Sequence, residues 1–90
     1  MKIIFKHSTL CPISRRAKGV MESFLEDNPQ ELEYEFIDVI ANRERSNEVA
    51  ETYGVQHESP QVIILYDDGD VIWDASHREI TERGIKEAVS

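Results

Sequence analysis

Two short apolar runs without polar alternation, KIIFK at residues 2–6 and QVIILY at residues 61–66, stand far apart in this chain of 90 residues. Uninterrupted apolar runs of this length are typical of strands buried inside a sheet. The first run therefore predicts a buried strand at the start of the fold. The second predicts the strongest strand of the chain.

Between these runs, helix and strand patterns alternate. A helix is predicted from Cys11, with Pro12 at its first position, where a missing N–H costs nothing. It should end at DNPQ, because Pro29 cannot continue a helix. Its buried face is expected to comprise the apolar residues at helical spacing, namely Ile13, Ala17, Val20, Met21, Phe24 and Leu25.

The segment ELEYEFIDV alternates apolar and polar residues and predicts a second strand. Asn42 or Ser46 is expected to cap a second helix that stops at Gly54. After QVIILY, the turn DDGD leads into a returning strand, VIWDA. Thr81 is expected to cap a short last helix, which Gly84 weakens.

The predicted order is β-α-β-α-β-β-α, in one domain over residues 1–90. A parallel βαβ unit followed by a hairpin and a helix fits a four-stranded mixed sheet flanked by three helices. This is the three-layer α/β arrangement of the thioredoxin-like fold. A ferredoxin-like α+β sandwich is the alternative, but its strand order would need a hairpin earlier in the chain.

Charge and composition limit the partners. The net charge is −8, which argues against a nucleic-acid binder, and no apolar run is long enough for a signal peptide or a membrane span. A single cysteine cannot form an internal disulfide, so we expect a cytoplasmic protein. Residues 1–18 hold five basic residues and no acid, so a local positive field is expected around Cys11.

Cys11 is the candidate catalytic residue. At the start of a helix, unpaired N–H groups and the helix dipole favour negative charge, and the thiolate is the nucleophilic form of a thiol. The alternative is a buried core cysteine, which is common among free cysteines. Since no second thiol is present, turnover would require an outside thiol. We expect no metal site, because the histidines lack ligand spacing.

Pro60 stands directly before the strand QVIILY. Proline is tolerated at the first position of a strand, but in a thioredoxin-like fold a proline here is cis and lies against the active-site cysteine. The backbone of Ser59 would then be free to pair with a bound peptide or thiol.

Three segments, KHSTLCPIS, SNEVAETYGVQHESPQVI and WDASHREIT, resemble the YtxJ-type monothiol bacilliredoxins over most of the chain. The resemblance implies that Cys11 takes bacillithiol from S-bacillithiolated cytosolic proteins through a mixed disulfide and is restored by free bacillithiol. It implies no permanently bound cofactor, with bacillithiol as co-substrate. The chain departs from the family where it starts directly at the first strand and where Leu10 replaces a residue that is often polar.

Further site residues are expected around Cys11. Lys6, Thr9, Pro12, Ser14 and Pro60 are the candidates for supporting the thiolate or shaping its loop. Bacillithiol carries carboxylates, which Arg15 could bind. By analogy with glutaredoxin-like proteins, Ser76 and His77 could hold part of the thiol ligand, although a plain helix-start turn is the favoured explanation.

Two other functions remain open. CPISRR resembles the Cys-x-x-Ser-Arg loop of small arsenate reductases, whereas a phosphatase loop is excluded because Ala17 stands where it needs arginine. The other possibility is a thioredoxin-like binding module or stress adaptor without catalysis. Oligomeric state does not follow from the sequence.

Overall fold

The structure, a computed structural model, describes residues 1–27 and 32–89, and its elements follow the predicted order. A single 3₁₀ turn, His77–Glu79, stands before the last helix. The expected helix end at Pro29 lies outside the described residues. The strands and helices are β1 Lys2–His7, α1 Pro12–Asp27, β2 Glu33–Asp38, α2 Arg43–Tyr53, β3 Gln61–Leu65, β4 Val71–Ser76 and α3 Glu82–Val89.

The four strands form one mixed sheet in the order β2-β1-β3-β4. β1 runs parallel to β2, and β3 runs antiparallel to both β1 and β4. This confirms the predicted thioredoxin-like arrangement, and the ferredoxin-like alternative is wrong. Gln61 pairs with Lys6 on one side and with Ser76 on the other, so β1 ends, β3 begins and β4 ends at the same edge of the sheet.

The two faces of the sheet carry separate cores, because successive strand residues point to opposite faces. On one face, Ile3 and Phe5 pack with residues of α1 and α3 such as Phe24 and Ile85. On the other face, the core comprises Ile4, Ile37, Val49, Ile63 and Leu65, with Val49 contributed by α2. The sheet is therefore covered by α1 and α3 on one side and by α2 on the other.

In β2, the large aromatic side chains lie on the more exposed face, and the buried residue lies on the other face. Tyr34 and Phe36 are 38% and 43% exposed, whereas Ile37 is 1% exposed. β2 lies at the end of the strand order, and Ile37, on the α2 face, is its one buried residue. The alternation thus predicted the strand correctly, but the large aromatic side chains are not its core residues.

The helix boundaries confirm two predicted signals and correct a third. Gly54 ends α2 in the left-handed conformation with φ of 64°. The Thr81 hydroxyl accepts a hydrogen bond from the Gly84 N–H at 3.1 Å, as expected for a cap of α3. Asn42 precedes α2 but makes no side-chain cap, and Ser46 lies fully buried inside the helix.

Within the described ranges, no helix combines the length and the apolar character that crossing a bilayer requires.

Candidate functional site

Three loops meet at the edge where β1 ends. Residues 8–11 leave β1, residues 54–60 lead into β3, and residues 76–77 leave β4, and the strand register places these points side by side. Cys11, Pro60, Ser76 and His77 are therefore brought to one end of the sheet. The fold gathers these four sequence-predicted residues from three distant parts of the chain.

Cys11 closes a turn and opens α1. Its N–H donates to the Ser8 carbonyl at 3.3 Å, and its own carbonyl accepts the Arg15 N–H at 3.2 Å, which is the first hydrogen bond of the helix. The residue is partly exposed. A partly exposed thiol at a helix N-terminus lies beside unpaired N–H groups that stabilise an anion.

Ser14 lies fully buried one turn into α1, although the helical pattern gave that face only apolar residues. Its hydroxyl accepts the Ser8 N–H at 2.9 Å and lies 2.8 Å from Nδ1 of His7. His7 is 4% exposed at the end of β1. Through these two contacts, Ser14 links the turn that contains Cys11 to the end of β1.

Thr9 and Leu10 form the tip of that turn. Leu10 is 82% exposed, and its N–H lies 3.4 Å from the Ser8 hydroxyl. Thr9 is also exposed. These two side chains face solvent beside Cys11.

Lys6 lies on the other face of the sheet. Its ammonium donates to the Ser46 carbonyl at 2.9 Å and to Nδ1 of His57 at 3.2 Å, under the first turns of α2. The side chain is fully buried, and burial lowers the pKa of the Lys6 ammonium. The sequence placed Lys6 beside the thiol, but its contacts are with Ser46 of α2 and with His57 in the loop that leads to Pro60.

The Ser59–Pro60 peptide bond is cis, as the position before the third strand predicted. The Pro60 carbonyl accepts the His77 N–H at 3.0 Å, which joins the loop before β3 to the end of β4. Ser59 Oγ and Gln61 Oε1 are buried without a hydrogen-bond partner among the described residues.

His77 stands in the left-handed region with φ of 54°, which is uncommon for a residue with a side chain. Its Nε2 lies 2.9 Å from a carboxylate oxygen of Glu58. Ser76 is extended, and its hydroxyl makes no cap for the turn that follows. Both residues lie at the Cys11 edge, but the His77 imidazole is engaged with Glu58.

Sequence reasoning missed one feature of this edge. A groove of about 360 Å³ begins directly after Cys11 and is lined by Pro12, Ile13, Arg16 and Arg78. Arg15, which was the expected ligand-binding arginine, does not line this groove. The spacing from Pro12 to Arg16 could have indicated the first of these arginines, because residues four apart share one side of a helix. No sequence signal pointed to Arg78.

In the part of the chain that the structure describes, no group of three or more His, Cys, Asp and Glu side chains is placed to hold a metal ion.

Comparison with known proteins agrees with this geometry. The family model described as monothiol bacilliredoxin BrxC matches residues 1–85. Among solved structures, a thioredoxin-fold protein suggested to be an oxidoreductase is 28% identical, with a TM-score of 0.87, and the match covers 99% of this chain and 77% of that one.

Two thioredoxins match at lower identity. Thioredoxin 1 of Thermosipho africanus is 20% identical with a TM-score of 0.74, over 99% of this chain and 90% of that one. Mitochondrial thioredoxin 3 of Saccharomyces cerevisiae is 14% identical with a TM-score of 0.72, over 98% of this chain and 74% of that one. At these identities the likeness shows the fold alone.

Proposed function

Because the chain belongs to the monothiol bacilliredoxin family, we propose that it is a thiol-disulfide oxidoreductase that removes bacillithiol from S-bacillithiolated proteins in the cytoplasm. The observation that carries the proposal is the position of Cys11. The one cysteine of the chain stands partly exposed immediately before α1, at the edge where the loop of cis-Pro60 also arrives.

The first step is attack by the Cys11 thiolate on the bacillithiol sulfur of the mixed disulfide. A new S–S bond forms between Cys11 and bacillithiol, the old S–S bond breaks, and its electron pair leaves on the sulfur of the substrate protein. That protein is thereby returned to its reduced thiol form. The thiolate is the nucleophilic form of a thiol, and it is the form of Cys11 that makes this attack.

The second step needs an outside thiol, because the chain has no other cysteine. The thiolate of a free bacillithiol attacks the bacillithiol sulfur bound to Cys11, and the products are bacillithiol disulfide and the Cys11 thiolate. Two molecules of bacillithiol thus supply the two electrons of each cycle, one of them released from the substrate. No bound cofactor is required.

The neighbouring residues would act by position. Ser14 and Pro12 hold the turn at the start of α1, and Thr9 lies within that turn. Pro60 and Ser59 would present backbone to the incoming disulfide. Lys6 would act indirectly, through His57 and the loop before Pro60.

The experiment is intact mass spectrometry of the protein mixed with an S-bacillithiolated substrate protein. We expect the mass of one bacillithiol to appear on the wild type and to disappear when free bacillithiol is added. Cys11→Ser is the control and should carry no adduct. An absent adduct on the wild type, or an equal adduct on Cys11→Ser, would refute the proposal.

The same preparation separates the other two functions. An arsenate reductase would consume thiols only when arsenate is added. A non-catalytic binding module would retain its partners in the Cys11→Ala variant and exchange no thiol with them.

A further inference from the structure

The groove beside Cys11 joins two kinds of surface. Pro12 and Ile13 give it an apolar wall at the start of α1, while Arg16 and Arg78, the latter in the 3₁₀ turn after β4, complete its lining. Arg16 also donates through Nη1 to the Ile80 carbonyl at 3.2 Å, which fixes one side of the groove against the other. An apolar wall with a few convergent charged groups is the usual composition of a small-molecule site.

Neither arginine has an acidic partner among the described residues, a condition they share with Lys6, Arg15 and Arg43. Among the described residues, Lys18 is paired with Glu22 on the same helix, and Arg83 with Glu87 on α3. Neither Arg16 nor Arg78 has a carboxylate of residues 1–27 or 32–89 within 4.0 Å. In a chain with net charge −8, two such arginines in one groove indicate a site for an external anion.

We propose that Arg16 and Arg78 bind the carboxylates of the small thiol that exchanges with Cys11, and that this groove selects anionic thiols over neutral ones. The inference rests on the proposed function, of which it names the substrate class. Arg16 follows Cys11 by five residues, about 7.5 Å along the helix axis. The ligand is therefore a small thiol whose carboxylates lie roughly 7.5 Å from its sulfur.

The size of the groove favours a small molecule over a segment of the substrate protein, because its volume is that of a small-ligand pocket. The placement also decides which sulfur is attacked. With the small thiol seated beside Cys11, its own sulfur is the nearer one, and the electron pair of the broken S–S bond leaves on the protein sulfur. Attack on the wrong sulfur would instead join the two proteins.

The first test measures how fast the free Cys11 thiolate takes a small thiol from its symmetric disulfide, a step in which the groove is initially empty. The probes are the disulfides of bacillithiol and of the uncharged thiol 2-mercaptoethanol, and the variants are Arg16→Gln, Arg78→Gln and both together. We expect the double variant to react with bacillithiol disulfide at least about tenfold more slowly, since charge-assisted hydrogen bonds to carboxylates are lost. Its rate with the 2-mercaptoethanol disulfide should stay within about twofold of the wild type.

Lys18→Gln is the matched control, since it removes one positive charge from the same helix outside the groove and should leave both rates unchanged. Arg15→Gln separates a specific groove from a general positive field, and its effect should be clearly smaller than that of Arg16→Gln. Equal losses for Arg15→Gln, equal losses for the neutral disulfide, or no loss in the double variant would each overturn the inference.

A binding measurement keeps this inference separate from the proposed function. S-methyl bacillithiol cannot exchange, so its binding to the Cys11→Ser protein is followed by backbone amide shifts in NMR. We expect shifts at Ile13, Arg16 and Arg78, and their loss in the double arginine variant. If thiol transfer fails but these shifts appear, the proposed function is wrong and the anion site stands. If transfer succeeds without them, the anion site is wrong.

Discussion

The Lys6 ammonium lies 3.2 Å from Nδ1 of His57, so a buried cation donates to an imidazole that is not itself protonated at that nitrogen. The Ser46 hydroxyl lies 3.2 Å from the same nitrogen. His57 stands three residues before Pro60. Its contact with Lys6 therefore connects β1 to the loop that carries the cis proline. Adding a proton at Nδ1 would remove the acceptor and place two positive charges side by side.

The pKa of His57 should therefore lie below that of an ordinary histidine. Burial and the Lys6 charge lower the pKa of His57, Arg43 adds to the effect, and Glu58 opposes it. Because the folded pKa lies below the unfolded one, stability is fully present above about pH 6.5 and falls as acid protonates His57. An NMR titration of the His57 ring should give a midpoint below about 6.5.

Lys6→Met tests the cause of that shift. Removing the ammonium should move the His57 midpoint upward and reduce the acid-dependent loss of stability. His77 is the internal reference, since its imidazole contacts Glu58 and makes no hydrogen bond with Lys6. An unchanged His57 midpoint in Lys6→Met would contradict the direct contact.

Ser14→Ala should destabilise the protein by about 1–3 kcal/mol, because the part-buried N–H of Ser8 and the buried His7 ring lose their partner. Urea unfolding measures the loss, and hydrogen exchange of the Ser8 amide should become faster. Ser23→Ala removes a part-buried hydroxyl from the same helix, one that donates to Glu82 at 2.7 Å. Its cost should be smaller, and equal costs would argue against a special role for Ser14.

The Glu35 carboxylate is held by both nitrogens of the Arg45 fork, with Nε at 2.7 Å and Nη2 at 2.8 Å. Hydrogen bonds from Arg45, with Lys2 adding to them, lower the pKa of Glu35 to about 2. The stability that this pair provides is therefore present above about pH 4.5 and is lost as the pH falls towards 2.

Arg45→Met should accordingly reduce the free energy of unfolding by about 1 kcal/mol at pH 7, and the deficit should shrink between pH 4.5 and pH 3. Denaturant unfolding at several pH values measures it. Glu51→Gln, on the exposed side of α2, serves as the comparison and should show a small difference without that acid dependence. A deficit in Arg45→Met that stays constant with pH would contradict the pairing.

Two helical glycines should respond oppositely to alanine. A Cβ at Gly19 has no neighbour within 4 Å, so Gly19→Ala should stabilise α1 by about 1 kcal/mol. A Cβ at Gly84 would lie 3.0 Å from both the Thr81 hydroxyl and the Trp73 ring. Gly84→Ala should therefore gain nothing or lose stability in thermal unfolding. A similar gain in stability at both sites would show that the Trp73 ring and the Thr81 side chain move aside at little energetic cost.

The sequence predicted the order of elements because its signals are local. Pro12 starts α1, Gly54 ends α2 and Thr81 caps α3, and each acts on backbone within about one turn of itself. The cis bond at Pro60 followed from the fold that this order indicates. Given that fold, strand pairing brings the end of β1, the start of β3 and the end of β4 to one edge of the sheet.

Side-chain direction could not be predicted in the same way. Lys6 and His7 are neighbours, but alternation sends them to opposite faces, and only the packing of α2 shows which face Lys6 occupies. Ser14 has a polar side chain on a buried face, which helical periodicity does not anticipate. Arg78 comes near Arg16 only through the contact between α1 and the turn after β4.

Because neighbouring side chains of β1 point to opposite faces of the sheet, the molecule has two separate polar clusters, here called compartments. Lys6 with His57 belongs to the one under α2, and His7 with Ser14 to the one under α1, with the sheet backbone as the wall between them. Changes in one compartment need not disturb the other. The support of the proline loop and the fastening of the cysteine turn can thus vary separately, even though they begin at adjacent residues of one strand.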